Sequence, residues 1–132
     1  MEEIKRTERG WCGYIRGHQY CLFRRNTLLE YDDKKIVVAT LGNYINPFEY
    51  CNTPIEGDIW YQTIAGYACD INGYLEIDGN KQIAIVTDHT LQGTQEEMFD
   101  KYPLIDQTAN EMHERVVEEM MDLICEVADE TK

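Results

Sequence analysis

Two periodicities divide the chain. Up to about residue 87, apolar and β-branched residues come in short runs separated by turn residues, while from Ala109 onward they recur every third or fourth position. The first pattern predicts strands and the second an amphipathic helix. Strands are expected over residues 11–16 and 19–29, with Gly17-His18 as the turn between them. Tyr31-Asp32-Asp33-Lys34 is a polar break, so 19–29 and the β-branched run 35–41 read as a hairpin. Residues 43–57 contain Pro47, Pro54, three Asn and a Gly, and read as the longest loop. A further strand is expected over 58–68. Residues 74–77 and 82–87 flank Asp78-Gly79-Asn80, whose Asp-Gly pair signals a second hairpin.

In the last third, Thr108-Ala109-Asn110-Glu111 fits a capping box, with Thr108 as the cap. Met112, Val116, Met120, Leu123, Ile124 and Val127 form one apolar stripe, opposite Glu111, Glu114, Glu118, Asp122 and Glu126. A helix is therefore expected from Ala109 to about Ala128, with a shorter one over 95–102 ended by Pro103. Strands followed by a terminal helix predict an α+β fold: an antiparallel sheet with a C-terminal amphipathic helix packed on it. At 132 residues the chain, 1–132, reads as a single domain. One helix covers only part of such a sheet, and nine Tyr, two Trp and three Phe exceed the needs of a small core. A homo-oligomer is the expectation.

Composition narrows the function classes. No apolar run approaches the roughly 20 residues of a membrane span, and residues 1–8 are polar, so a cytoplasmic protein without membrane partners is expected. The five cysteines, an odd number with no CxxC pair, read as free buried thiols. The three histidines form no ligand pattern, so no metal and no cofactor are expected. The net charge of −13 is uneven: residues 1–35 hold eight Lys/Arg against six acids, and residues 36–132 hold four against nineteen. Repulsion from phosphates makes nucleic acid an unsuitable partner for the acidic part.

The segment from Cys21 to Leu29 sets two arginines, an amide and a hydroxyl inside an apolar strand. Strand alternation puts Arg24 and Asn26 on one face, Arg25 and Thr27 on the other. A guanidinium suits phosphate or carboxylate, so one arginine is expected to pair with an acid and the other to meet an anionic ligand. Asn110 and His113 lie one helical turn apart, as a surface cluster or as the polar edge of a pocket. Trp11, Tyr14 and Tyr61 offer aromatic faces for stacking or for the core, and His18 lies in the predicted turn. The candidate ligand-binding set is thus Arg24, Arg25, Asn26, Trp11, Tyr14, His18, Tyr61, Asn110 and His113. Serine is absent and no GxSxG, P-loop or GxGxxG occurs, so no catalytic residue is assigned and no enzyme is expected.

Arg9-Gly10-Trp11-x-Gly13-Tyr14-Ile15, the run Tyr20 to Leu29, Ile36-Val37-Val38-Ala39-Thr40-x-Gly42 and the tail Ala109-Asn110-Glu111-Met112-His113-Glu114 cover about a third of the chain. On these motifs the chain resembles the phage Thoeris anti-defence proteins of the sponge type. That resemblance implies a protein of an infected or lysogenic bacterial host that sequesters a cyclic ADP-ribose-type or cyclic oligonucleotide immune signal without cleaving it. It also implies oligomers with pockets between subunits. An acidic inhibitor of a host defence complex, of the DNA-mimic or anti-CRISPR type, is the competing reading; an enzyme degrading a nucleotide signal is the third.

Overall fold

A computed structural model describes residues 3–9, 21–46, 48, 51–55, 57–71, 73–94, 98 and 104–130. Six strands form one antiparallel sheet: β1 (Lys5–Arg9), β2 (Cys21–Tyr31), β3 (Lys34–Asn46), β4 (Cys51–Thr53), β5 (Tyr61–Ile71) and β6 (Tyr74–Val86). Their order is β1-β2-β3-β5-β6, and β4 pairs with β3 at residues 44–46, beyond the stretch that β5 occupies. A 3-10 turn (His89–Leu91) and helix α1 (Leu104–Glu130) follow. The α+β architecture is therefore as expected, with the terminal helix packed on the sheet.

The β2–β3 hairpin turns where the polar break predicts it. Tyr31 pairs with Lys34, and Asp32 holds a φ of 57°, a left-handed conformation that Asp tolerates better than most residues. The Asp78-Gly79 expectation is corrected. Residues 74–86 are one strand that pairs back on β5 from Ile71↔Tyr74, and Gly73, between them, has a φ of 89°. The register runs from Ala68↔Ile77 to Gly66↔Gln82, so residues 78–81 bulge out opposite Tyr67 alone. The Asp78 carboxylate accepts from the Asn80 amide at 2.9 Å, a local bond that serves a bulge as well as a turn.

α1 begins at Leu104, five residues ahead of expectation, so Thr108 lies inside it and is not its cap. Pro103 precedes Leu104 in sequence, and proline suits a helix start as readily as it ends a helix. The strand expected over 11–16 and the turn at Gly17-His18 lie outside the described residues, as does most of the helix expected over 95–102. The sequence pattern predicts no strand at residues 5–9 or 51–53. Both are short and polar and carry little period-two signal.

The helix buries Val116, Val117, Met120 and Ile124 against Leu29, Ile36, Val38 and Ala65 of the sheet. Its first half packs Ala109 and Met112 with Trp60, Tyr61, Leu91 and Met98. A third cluster, Leu28, Val37, Ala39, Ile64 and Ile77, lies on the sheet's second face. Ile77 reaches it because the hairpin bends at the bulge, where Gly66 leaves room: a Cβ there would sit 2.6 Å from Ile77 Cγ2 and 3.1 Å from the Lys81 carbonyl. Among the described residues, no helix is long and apolar enough to cross a membrane.

Candidate functional site

The helix-facing side of the sheet carries a polar cluster at the β1 edge. Arg6 and Glu8 come from β1, Arg25 and Thr27 from β2, Thr40 from β3, Thr63 from β5, and His113 and Glu114 from α1. Strand pairing puts Glu8 beside Thr27, Arg25 beside Thr40, and Thr40 beside Thr63. Arg25 Nη2 donates to Glu8 Oε1 at 2.9 Å and to Glu114 Oε1 at 2.8 Å, while Arg6 Nη2 bridges the same oxygens at 2.8 and 2.6 Å. Arg25 Nη1 also donates to Asn110 Oδ1 at 3.3 Å. Two guanidiniums and two carboxylates thus alternate and sum to zero charge. The hydrogen bond from Arg6, strengthened by Arg25, holds the Glu114 carboxyl at about 2 against the opposing effect of burial. Burial raises the Glu8 carboxyl, but its bonds from Thr27 and Arg6 outweigh it and leave it below the usual range. Arg6 is correspondingly held more firmly charged, first by Glu114 and then by Glu8.

Beneath this quartet His113 is wholly buried, with Thr27 Oγ1 2.7 Å from Nε2 and Thr40 Oγ1 2.7 Å from Nδ1. The donors can be assigned by counting protons. Thr27 donates its only proton to Glu8 at 2.6 Å, so it must accept from His113 Nε2–H. Burial, reinforced by the charge of Arg25, pushes His113 down to about 4, so the ring is neutral near pH 7 and Nδ1 is an acceptor. Thr40 then donates to Nδ1 and accepts from Thr63 at 2.7 Å. The protons run one way, from Thr63 through Thr40, His113 and Thr27 to Glu8. Every member is bonded and the histidine is sealed from solvent. The relay therefore orders the sheet–helix interface and offers no reacting atom to a substrate.

The second face differs. Arg24 is exposed and forms no hydrogen bond or ion pair with a described residue. Asn26, on the same face, is wholly buried, and its Oδ1 accepts from Arg9 Nε at 3.0 Å. Asn26 Nδ2 is buried and has no hydrogen-bond partner. Burial lowers Arg9, and the charges of Glu76 and Glu30 oppose that shift. Glu76 is itself buried, and Glu30 faces Lys35 at 3.9 Å.

The structure brings Arg25, Asn110 and His113 together, but as members of the sheet–helix cluster. Tyr61 is a core side chain, its ring edge-on to Phe23 with centroids 5.4 Å apart. Arg24 and Asn26 share the other face, as alternation predicts. Trp11, Tyr14 and His18 lie outside the described residues. The sequence pattern does not single out Arg6, Glu8, Arg9, Thr40, Thr63 or Glu76. Thr40 leaves a signal, a lone hydroxyl inside the run 36–41; the others leave none. No group of three His, Cys, Asp or Glu among the described residues could hold a metal ion. Cys69 and Cys125 are free thiols, and burial with the carboxylate of Asp78 pushes Cys69 up, away from thiolate chemistry.

Among the described residues are two grooves of about 600 and 590 Å³. The first runs along α1, where Glu111, Glu114 and Glu118 face it against Arg115, a balance unsuited to anions. The second lies between the β2–β3 turn and the β6 bulge and is lined by Lys34, Lys35 and Lys81. Compared with protein-family models, with curated proteins and with solved structures, the chain finds no match, so the resemblance described above stands on its motifs alone.

Proposed function

We propose that the chain is a binding protein that sequesters a phosphate-bearing small molecule, of the cyclic nucleotide type that its resemblance implies, as a homo-oligomer and without cleaving it. The observation that carries this reading is the division of labour between neighbouring arginines. Arg25 is neutralised by Glu8 and Glu114 and ties sheet to helix. Arg24, one residue earlier, is exposed without an acid partner among the described residues, in a chain with twice as many acids as bases. An unpaired guanidinium in so acidic a protein is available to an external anion. Salt screens charges beyond about 8–10 Å, so a local cation survives the net charge of the whole.

The test is to incubate the protein with cyclic ADP-ribose isomers and cyclic dinucleotides, follow its melting temperature, then boil it and analyse the supernatant. Heat stabilisation with the intact molecule recovered is the expected result; loss of the nucleotide would identify an enzyme. Arg24→Ala should keep the melting temperature and weaken binding about ten- to a hundredfold, the value of one charge-assisted hydrogen bond. Arg25→Ala should lower the melting temperature instead. One observation favours a second reading: Glu111, Glu118, Glu119, Asp122 and Glu126 are all exposed on α1. Such an acidic face suits an inhibitor of a host complex, and co-purification with a host protein, with no response to any nucleotide, would select it.

A further inference from the structure

We propose that the groove between the β2–β3 turn and the β6 bulge is a site for a small molecule carrying a chain of linked phosphates, held by Lys34, Lys35 and Lys81. Tyr67 and Ile83 of its lining pack against the sheet–helix core, so the groove lies on the helix-facing side of the sheet. It makes no use of Arg24, which is on the other face, and it stands apart from the binding reading above.

Register builds the groove. Tyr67 of β5 pairs with Ile36, next to Lys35, on one side, and on the other it alone faces residues 78–81 of β6. Those four residues leave the ladder, and Lys81 is the last of them. The backbones approach closely here, since a Cβ on Gly66 would lie 3.1 Å from the Lys81 carbonyl. Val127 of α1 joins Tyr67, Ala68 and Ile83 in the apolar part of the lining.

Size and access suit a small molecule. The volume of about 590 Å³ falls within the roughly 300–1,000 Å³ of small-molecule sites. Lys35 and Lys81 are exposed and Lys34 is half-buried, so a ligand meets the ammonium groups directly from solvent.

Charge selects the ligand. The lining holds three lysines against one acid, Asp33, while residues 36–132 as a whole hold four basic groups against nineteen acids. Lys34 is 4.0 Å from Asp33, and Lys35 is 3.9 Å from Glu30, which is outside the lining. Both pairs are at the outer limit of contact and near the surface, where an ion pair holds weakly and exchanges readily. Lys81 forms no ion pair with a described residue. The lining thus keeps two positive charges, or one if Glu30 is counted through Lys35. β5 separates β3 from β6, which sets Lys34 and Lys81 on strands about 10 Å apart. The positive charge is therefore spread along the groove, as a chain of phosphates is. An ammonium is a point charge with no fork to orient, which suits phosphate oxygens at several angles.

Titration calorimetry at low salt with sodium tripolyphosphate should show one site per chain. Lys81→Ala should weaken it about tenfold at an unchanged melting temperature, Lys81→Arg should keep most of the affinity, and Arg24→Ala should leave it as it is. Three results would each overturn the proposal: no binding at millimolar tripolyphosphate, equally tight binding of acetate, or affinity unaltered by both Lys81→Ala and Lys34→Ala. ATP carries the same chain on a nucleoside; tighter binding than tripolyphosphate supports the site with a nucleotide as its source, and equal binding supports it with a free polyphosphate. If Arg24→Ala abolishes binding and Lys81→Ala does not, this site fails and the binding reading stands. If tripolyphosphate binds through Lys81 and no cyclic nucleotide binds, the site stands and the nucleotide reading fails.

Discussion

His113 illustrates how one side chain is given its role by its surroundings. On the helix it falls at a position that shares a turn with Asn110, yet Asn110 is exposed and His113 is completely buried between Thr27 and Thr40. Its folded pKa of about 4 lies below the ordinary 6.5. Between those values the unfolded chain takes up a proton that the folded protein refuses, so stability falls as pH drops from 6.5 toward 4 and is complete above 6.5. The full swing is about 3 kcal/mol for a shift of this size. Urea unfolding at about pH 7 and about pH 4.5 should show most of that loss in the native protein. In His113→Gln, which has no titrating ring, the part due to this group should be absent. An identical pH dependence in both proteins would mean that the ring is not buried neutral.

At the scale of elements, α1 is held by its apolar stripe more than by its ends. Met112, Val116, Met120 and Ile124 are buried, and Val117 and His113 widen the contact beyond the stripe read from spacing. Met120 touches the core of Leu29, Ile36 and Val38, so Met120→Asp sets an unpaired carboxylate among apolar side chains. The change should cost about 3 kcal/mol, measured by urea unfolding. A cost below about 0.5 kcal/mol, the range of surface substitutions, would mean that the helix does not pack there. Strand β1 is attached differently, through polar side chains: Arg6 and Glu8 tie it to β2 and to Glu114 of α1.

For the whole molecule, the proposed self-association has to contend with a net charge of −13. The outward side of α1 is acidic and repels a second copy. Edge strand β6, by contrast, exposes Tyr74 and Ile85, two of the three large hydrophobic side chains most open to solvent among the described residues. The proposed self-association should therefore appear as a mass of at least two chains in light scattering at micromolar concentration, and it should strengthen with salt as repulsion is screened. A species of 15.5 kDa at every salt concentration would dismiss it.

Much of the fold is legible in the sequence because its signals are local. The β-branched run 35–41 lies in β3, the polar break at Asp32-Asp33 turns β2 into β3, and the apolar stripe lies in α1, each a signal carried by neighbouring residues. The Asp78-Gly79 pair misleads because the same local hydrogen bond serves a bulge or a turn; the choice depends on where Ile77 can be buried, which only the opposite face of the sheet decides. The placement of Arg24 and Arg25 on opposite faces follows from the two-residue period of a strand. Which of them is neutralised does not, since Glu8 and Glu114 lie 17 and 89 residues from Arg25 in sequence. The same holds for Thr40, Thr63 and His113, and for the unpaired amide of Asn26. A sequence sets which residues share a face of an element, because backbone geometry repeats along the chain. Packing alone decides which faces meet, and hence which charges are satisfied within the fold and which remain open to a ligand.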